Sequence, residues 1–268
     1  MAGTTLSSDA GRTAETPRAP TEQFTGLADT YARHRPAYSD EALRWLLAEA
    51  GAGTGSHVVD IGAGTGLFSR LLSDLGLRVT AVEPNEDMRT RLEAAFSGRT
   101  GIVVRAGTAE ETGLPDGCAD LVTAAQAFHW FDKPRFRQEC ARILRPDGYV
   151  AVVWNRRLPD DPVFMELCSL YRRHCPAFEA PDRGVNGSEA WYPRFFRDGL
   201  FSRRTFPNDL HQDVEGFVGR ALSSSFSLQP GDAGYDAYDA DLRALHSKYR
   251  QDGRVRIANE TLCLVGKV

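Results

Sequence analysis

The chain has 268 residues, 42% of them hydrophobic and 25% charged, with a formal net charge of -4. That length suits one core, or one core plus a cap, while the mild acidity and the lack of any Lys/Arg block argue against nucleic acid as a partner. Five scattered cysteines (Cys118, Cys140, Cys168, Cys175, Cys263) without a C-x-x-C pair point to neither a disulfide framework nor a zinc site.

Residues 1–20 are rich in Ala, Thr, Ser and Gly, with no apolar h-region, and read as a disordered tail. No later run reaches membrane-spanning length, so no membrane partner is expected and the cytoplasm is the expected location; with the cysteines scattered, no metal is expected either. Phe24, Leu27, Ala28 and Tyr31 fall at helical spacing before Arg35-Pro36 breaks the pattern. Ser39 then caps a helix with Asp40 and Glu41 in its first turn, Leu43, Leu46 and Leu47 on its apolar face and Gly51 at its end.

The run Val58-Val59-Asp60-Ile61 reads as a strand buried on both faces. It passes directly into Gly62-Ala63-Gly64-Thr65-Gly66, and Leu67, Phe68, Leu71, Leu72 and Leu75 continue at helical spacing up to Gly76. Strand, glycine turn and helix start without a spacer describe a ligand site, because the turn lets backbone lie against something bulky and the first helical amides face it. The same five letters at Gly51 to Gly55 follow a helix and precede the strand, so there they make only a connection.

The spacing of the glycines separates cofactors. A dinucleotide fold needs G-x-G-x-x-G, and the position that would carry its third glycine is Leu67. The pattern here is G-x-G-x-G, and no G-x-x-x-x-G-K-[ST] is present for a P-loop. Twenty-one positions after Gly62 stands Glu83, closing the apolar run Val79-Thr80-Ala81-Val82, where a carboxylate can accept from both hydroxyls of a ribose.

This combination resembles the class I S-adenosyl-L-methionine (SAM) dependent methyltransferases. The resemblance implies an α/β, Rossmann-like fold: a seven-stranded, mostly parallel sheet with helices on both faces and an inserted helical cap. It implies Gly62, Gly64 and Gly66 as the turn under the methionine part of SAM, and Glu83 as the ribose acceptor. The segment from Phe24 to Tyr38 is similar to an N-terminal arm that carries Y-x-x-x-R-P and folds over the cofactor, offering Tyr31 and Arg35 as SAM contacts; an amphipathic helix packed on the sheet is the alternative.

After Glu83 the chain alternates as βαβ units should. Asn85 caps a helix whose Met88 either lines the adenine or packs in the core. Ile102-Val103-Val104 is a third strand, followed by Gly107-Thr108-Ala109-Glu110, which matches the family's adenine loop. Many relatives place Asp where Thr108 stands, so Thr108, Glu110 or the backbone at Ala109 is left to read the adenine.

The fourth strand, Asp120 to Ala124, runs into Gln126-Ala127-Phe128-His129-Trp130. That segment is similar to a Q-A-x-H-W sequence of a trans-aconitate methyltransferase-like subgroup, which implies Gln126 and Trp130 as contacts at the SAM pocket. His129 is either a general base beside the transferring methyl or the residue that holds Trp130 as a pocket wall. A fifth strand spans Tyr149 to Trp154. Beyond Asn155 the likeness is loose: an amphipathic helix from Pro162, an aromatic run from Trp191 to Phe206 leading to a sixth strand, two further helices, and Val255 to Val268 as a seventh strand, antiparallel between the fifth and sixth.

The domain reading is therefore a tail over 1–20, an arm and SAM-binding core over 21–155, a cap insertion over 156–200, and strands six and seven with a second cap insertion over 201–268. The expected activity is methyl transfer from SAM to a small-molecule acceptor, of apolar or aromatic type if the cap aromatics face it. A SAM-binding regulatory protein and a non-methylating enzyme of the same fold are the alternatives. The oligomeric state is not legible.

Overall fold

The structure, a computed structural model, describes residues 37–178, 185–224 and 226–268, without the side chains of residues 185–187. The Phe24–Tyr31 helix, Tyr31 and Arg35 therefore lie outside the described residues.

Nine strands form. β1 (His57–Ile61), β2 (Arg78–Val82), β3 (Ile102–Arg105), β4 (Ala119–Ala125), β5 (Leu144–Arg157), β6 (Ser202–Pro207) and β9 (Asn259–Gly266) make one seven-stranded sheet in the order β3-β2-β1-β4-β5-β9-β6. β1 through β5 pair in parallel, and β9 runs antiparallel between β5 and β6 as expected. The chain lays down β1, β2 and β3 outward, then returns to place β4 against the other side of β1. The order of strands reverses there, and in an open parallel sheet the crevice for a ligand lies at the carboxyl ends of the strands flanking that point.

Alternation along the strands supplies the two faces. Val58, Val79 and Leu121 point to one side, packed with Leu43 and Leu46 of helix α1 (Asp40–Glu49) and Phe68 and Leu72 of α2 (Leu67–Asp74). Val59, Ile61 and Val122 point to the other, packed with Phe136, Cys140 and Ile143 of α4 (Lys133–Ile143). Leu92 and Phe96 of α3 (Glu86–Phe96) pack on Ala81. The caps expected at Ser39 and Asn85 form, and Asp132 makes a third: the three side chains accept from the N–H groups of Ala42, Met88 and Arg135.

The later chain departs from its sequence reading in two ways. The aromatic residues after Trp191 do not face a cap cavity: Tyr192 and Phe195 of the short helix α6 (Tyr192–Phe195), and Phe196 after it, fill the sheet core. Phe195 meets Phe128 edge-on at 5.0 Å and stacks on Phe136 at 5.3 Å. Burying several rings against one sheet face removes far more apolar surface from water than an open cavity would. The expected strand from Val255 to Val268 is also two strands. β8 (Val255–Ile257) pairs with β7 (Leu210–Gln212) in a separate ribbon, and the break falls at Ala258, whose N–H donates to Asp161 and whose carbonyl accepts from Leu158.

Helices α5 (Pro162–His174), α7 (Val214–Leu222) and α8 (Tyr235–Tyr249) bury their apolar faces on one another and on the β7–β8 ribbon, in a cluster of their own around Tyr171, Phe217, Tyr238 and Leu242.

Candidate cofactor and acceptor site

A cavity of about 200 Å³ lies at the carboxyl ends of β1, β2, β4 and β5. Its floor is the glycine turn. Gly62, Gly64 and Gly66 all have positive φ, at 69°, 58° and 87°, a region open to glycine at little cost, but the three do different jobs. A Cβ at Gly62 would fall 2.7 Å from Cβ of Ala127. One at Gly66 would collide with Leu92 and Phe96, so Gly66 serves helix packing and does not line the cavity. A Cβ at Gly64 would meet nothing within 4 Å, and Gly64 borders the cavity.

Glu83, the residue after β2, is buried beside that turn. Its Oε2 accepts the Gly64 N–H at 2.8 Å and its Oε1 the Asn85 N–H at 2.9 Å. Burial pushes its pKa up, and the two N–H bonds pull partly back. Each oxygen keeps lone-pair capacity for a further donor from the cavity.

Asp60 is the residue that sequence reasoning passed over. It is 1% exposed, lines the cavity, and accepts from Ser69 Oγ at 2.6 Å and Thr123 Oγ1 at 2.8 Å. Burial raises its pKa to about 6 despite those two bonds, with the nearby Glu83 charge adding to the rise. The signal was present, since a carboxylate inside an apolar strand covered on both faces is costly unless it is used or partnered.

Met88 is 3% exposed and lines the cavity, so it is both a core residue and a wall. Thr108, Ala109 and Glu110 all reach the cavity. The Thr108 hydroxyl oxygen accepts the Glu111 N–H and Glu110 Oε1 accepts the Asp132 N–H, which commits part of each side chain to shaping the loop. Behind the loop, Glu139 accepts from both the N–H and the hydroxyl of Thr112 and from the Arg142 guanidinium. Burial raises the Glu139 pKa, but the bonds from Arg142 and Thr112 outweigh it and hold it at about 2.

At the other end, Gln126 has φ of 57°, an uncommon conformation for a residue with a side chain. It is held there by its N–H on Val153 O and by its Nε2 on Asn155 O at 2.7 Å. Gln126, Trp130 and Asn155 line the cavity. His129 does not: its half-buried ring sits 4.4 Å from that of Trp130 and 5.4 Å from that of Trp154.

Two further residues line the cavity, and neither was singled out from sequence. Tyr38 enters from the segment before α1, its ring edge-on to Phe68 at 4.8 Å. The carbonyl of Ala37 just before it accepts from Asn155 Nδ2 and Asn208 Nδ2. Arg220 enters from α7. Only the fold brings a residue so distant in the chain to this place.

Residues 59–152 match the methyltransferase domain family. With the strand order, the glycine turn and the buried acid after β2, the chain has the fold of the class I methyltransferases. Over 134 residues it is 42% identical to an uncharacterised methyltransferase of Mycobacterium tuberculosis, covering 50% of this chain and 52% of that one. An uncharacterised methyltransferase-like protein of Schizosaccharomyces pombe is 33% identical over 160 residues, 58% of this chain and 60% of that one. The chain thus spans little more than half the length of these curated relatives. A candidate type II methyltransferase from Anaeromyxobacter dehalogenans superposes with a TM-score of 0.67 at 25% identity, covering 87% of this chain and 97% of that chain. The [4+2]-cyclase SpnF shares the fold at 17% identity, with a TM-score of 0.54 over 93% of this chain and 96% of that chain. Among the described residues no helix is long and apolar enough to cross a membrane, and no cluster of His, Cys, Asp and Glu could hold a metal ion.

Proposed function

We propose that this protein transfers a methyl group from SAM to a small-molecule acceptor. The observation that carries the reading is the pair of buried carboxylates, Asp60 and Glu83, at adjoining strand ends in a cavity at the point where the sheet order reverses. A ligand with ribose hydroxyls and cationic groups fits such a wall, and Gly64 leaves open space for it.

SAM, when bound, would supply a methyl group activated by its sulfonium leaving group, for transfer to a lone pair of the acceptor. The chain's own residues then have three tasks. Glu83 would accept from the ribose hydroxyls, with its carboxylate already oriented by Gly64 and Asn85. Asp60 would offer its negative charge to a cation of the ligand, and Met88 and Ala109 would flank the adenine. Gln126 and Trp130, at the strand-end segment, would align the acceptor; holding reactants in line and shedding water supplies several kcal/mol of the barrier. The position of His129 behind Trp130 supports catalysis by alignment, with the acceptor proton leaving to solvent where one must leave. The arm with Tyr31 and Arg35 would close over the cofactor, a reading supported by the hold on Ala37 and the entry of Tyr38. Likeness to the trans-aconitate methyltransferase-like subgroup rests on the Gln126–Trp130 segment alone.

Calorimetry tests the proposal. SAM and its demethylated product, S-adenosylhomocysteine, should bind the folded protein with comparable affinity, and failure of SAM to bind would refute the reading. The second reading, a SAM-fold protein that does not methylate, draws on the fold shared with a cyclase. It is favoured if SAM binds but no acceptor mixture ever yields methylated product by mass spectrometry.

A further inference from the structure

Asn155, near the end of β5, holds two walls of the cavity at once. Its carbonyl accepts from Gln126 Nε2 at 2.7 Å, and its side-chain Nδ2 donates to the carbonyl of Ala37, next to Tyr38, at 3.1 Å. Gln126 and Tyr38 both line the cavity, and the uncommon backbone conformation of Gln126 persists only while its surroundings hold it.

Two residues that do not line the cavity fix Asn155 in turn. Thr261 of β9 stands opposite it in the antiparallel pair, is fully buried, and donates its hydroxyl to Asn155 Oδ1 at 2.6 Å. The same hydroxyl oxygen accepts the Ser39 N–H at 3.3 Å and an Asn208 Nδ2 proton at 3.1 Å. Asn208, which follows β6, directs that amide also at Asn155 Oδ1, at 3.1 Å, and at the Ala37 carbonyl, at 2.8 Å.

The sheet itself does not need this polar group. On the same face Val153 of β5 and Cys263 and Val265 of β9 are buried and apolar, and a hydroxyl or amide buried beside them is unfavourable unless it finds a partner. The partners it finds outside the sheet are the Ala37 carbonyl and the Ser39 N–H, which bracket Tyr38. A wall held in place before a ligand arrives lowers the ordering cost of binding.

We infer that Thr261 and Asn208 are positioning residues for cofactor binding: through Asn155 they tie the Tyr38 and Gln126 walls into one unit, so that the cavity is formed before its ligand enters. The inference rests on the methyl-transfer reading above and adds to that site two residues outside the cavity.

The test uses the full chain, with S-adenosylhomocysteine binding read by calorimetry, stability by thermal unfolding and backbone protection by hydrogen exchange. Thr261→Val keeps the shape and removes the hydroxyl; it should weaken S-adenosylhomocysteine fivefold or more, whereas Thr261→Ser, which keeps the hydroxyl, should stay within twofold of wild type. Val265→Ala, on the same face of the same strand, leaves a void away from the network and should lower the melting temperature with affinity unchanged. Asn208→Ala, at a half-buried site, should show the same affinity loss as Thr261→Val and serves in its place if that variant does not fold. In the ligand-free protein the N–H groups of Ser39 and Gln126 should exchange tenfold or more faster in both network variants, with β1 unchanged. The inference is overturned if a folded network variant binds as wild type, if Val265→Ala weakens binding as much, if Thr261→Ser behaves as Thr261→Val, or if exchange at Ser39 and Gln126 does not change. Failure of the wild-type chain to bind S-adenosylhomocysteine would sink the cofactor reading instead, and the exchange at Ser39 and Gln126 would then still decide whether one network fixes both walls.

Discussion

The Glu83 carboxylate and the Gly64 backbone N–H meet at 2.8 Å across the gap between the end of β2 and the turn after β1. One bond therefore sets both the direction of the carboxylate and the shape of the loop that faces the cavity. Hydrogen bonds from N–H groups to an ionised acceptor are about twice as strong as neutral ones. Glu83→Ala should weaken SAM and S-adenosylhomocysteine alike by tenfold or more in calorimetry, about 1.4 kcal/mol. A variant that binds both as wild type would remove Glu83 from the cofactor site.

On the proposed role of Asp60, the cofactor affinity should depend on pH. Its pKa in the folded protein is raised to about 6, so below that value the carboxyl is neutral and has no charge to offer a cation. Affinity for SAM should rise as the pH rises through 6, by at most tenfold per pH unit, and Asp60→Asn should flatten the rise. Stability has the opposite sign. The folded state holds this proton more tightly than an unfolded carboxyl of ordinary pKa near 3.8, so the Asp60 contribution is full below pH 3.8 and is lost as the pH rises to about 6. The difference in melting temperature between wild type and Asp60→Asn, followed across that window, checks it.

The glycines of the turn should separate by substitution. Gly66→Ala forces a methyl into Leu92 and Phe96 at a positive φ, and overpacking alone costs about 1–3 kcal/mol, so thermal stability should fall. Gly64→Ala carries only the conformational cost, about 1–2 kcal/mol, but its methyl points into cavity space. It should lose more cofactor affinity than Gly66→Ala loses. Equal losses of affinity in the two variants would contradict the division of roles.

His129 packs behind Trp130. His129→Ala should therefore loosen the wall that Trp130 forms, lowering acceptor or cofactor affinity, while the pH profile of turnover keeps its shape. A general base would behave otherwise: turnover would drop by roughly 10² or more with affinity intact, and a group titrating near neutrality would vanish from the profile.

The arm is tested by truncation. Removing residues 1–20 should leave SAM affinity unchanged, while deletion through Pro36 should reduce it tenfold or more, about 1.4 kcal/mol. Equal affinities would make the arm a packing element.

Much of the site was legible because its signals are local. Strand, glycine turn and helix are contiguous from Val58 to Leu75, and the buried run ending at Glu83 follows within one βαβ unit, so covalent spacing alone brings Gly64 and Glu83 to the same strand ends. The caps at Ser39, Asn85 and Asp132 form within three residues and need no tertiary partner. The seven-stranded, mostly parallel sheet with its last strand antiparallel between the fifth and sixth was an expectation of family likeness, which the sheet matches.

Tertiary structure decided what depends on distant contacts. Which of three equivalent glycines has open space beside it was set by Leu92, Phe96 and Ala127, none of them next to the turn in sequence. His129 and Trp130 are neighbours in the chain, yet only Trp130 reaches the cavity, while the histidine ring packs 5.4 Å from that of Trp154 of β5. The aromatic run after Trp191 has the composition of a ligand cap but lies in the sheet core, since periodicity cannot tell which apolar surface a ring will bury against. Arg220 carries no motif. It reaches the cavity only because α7 is folded back over the ends of strands laid down much earlier in the chain.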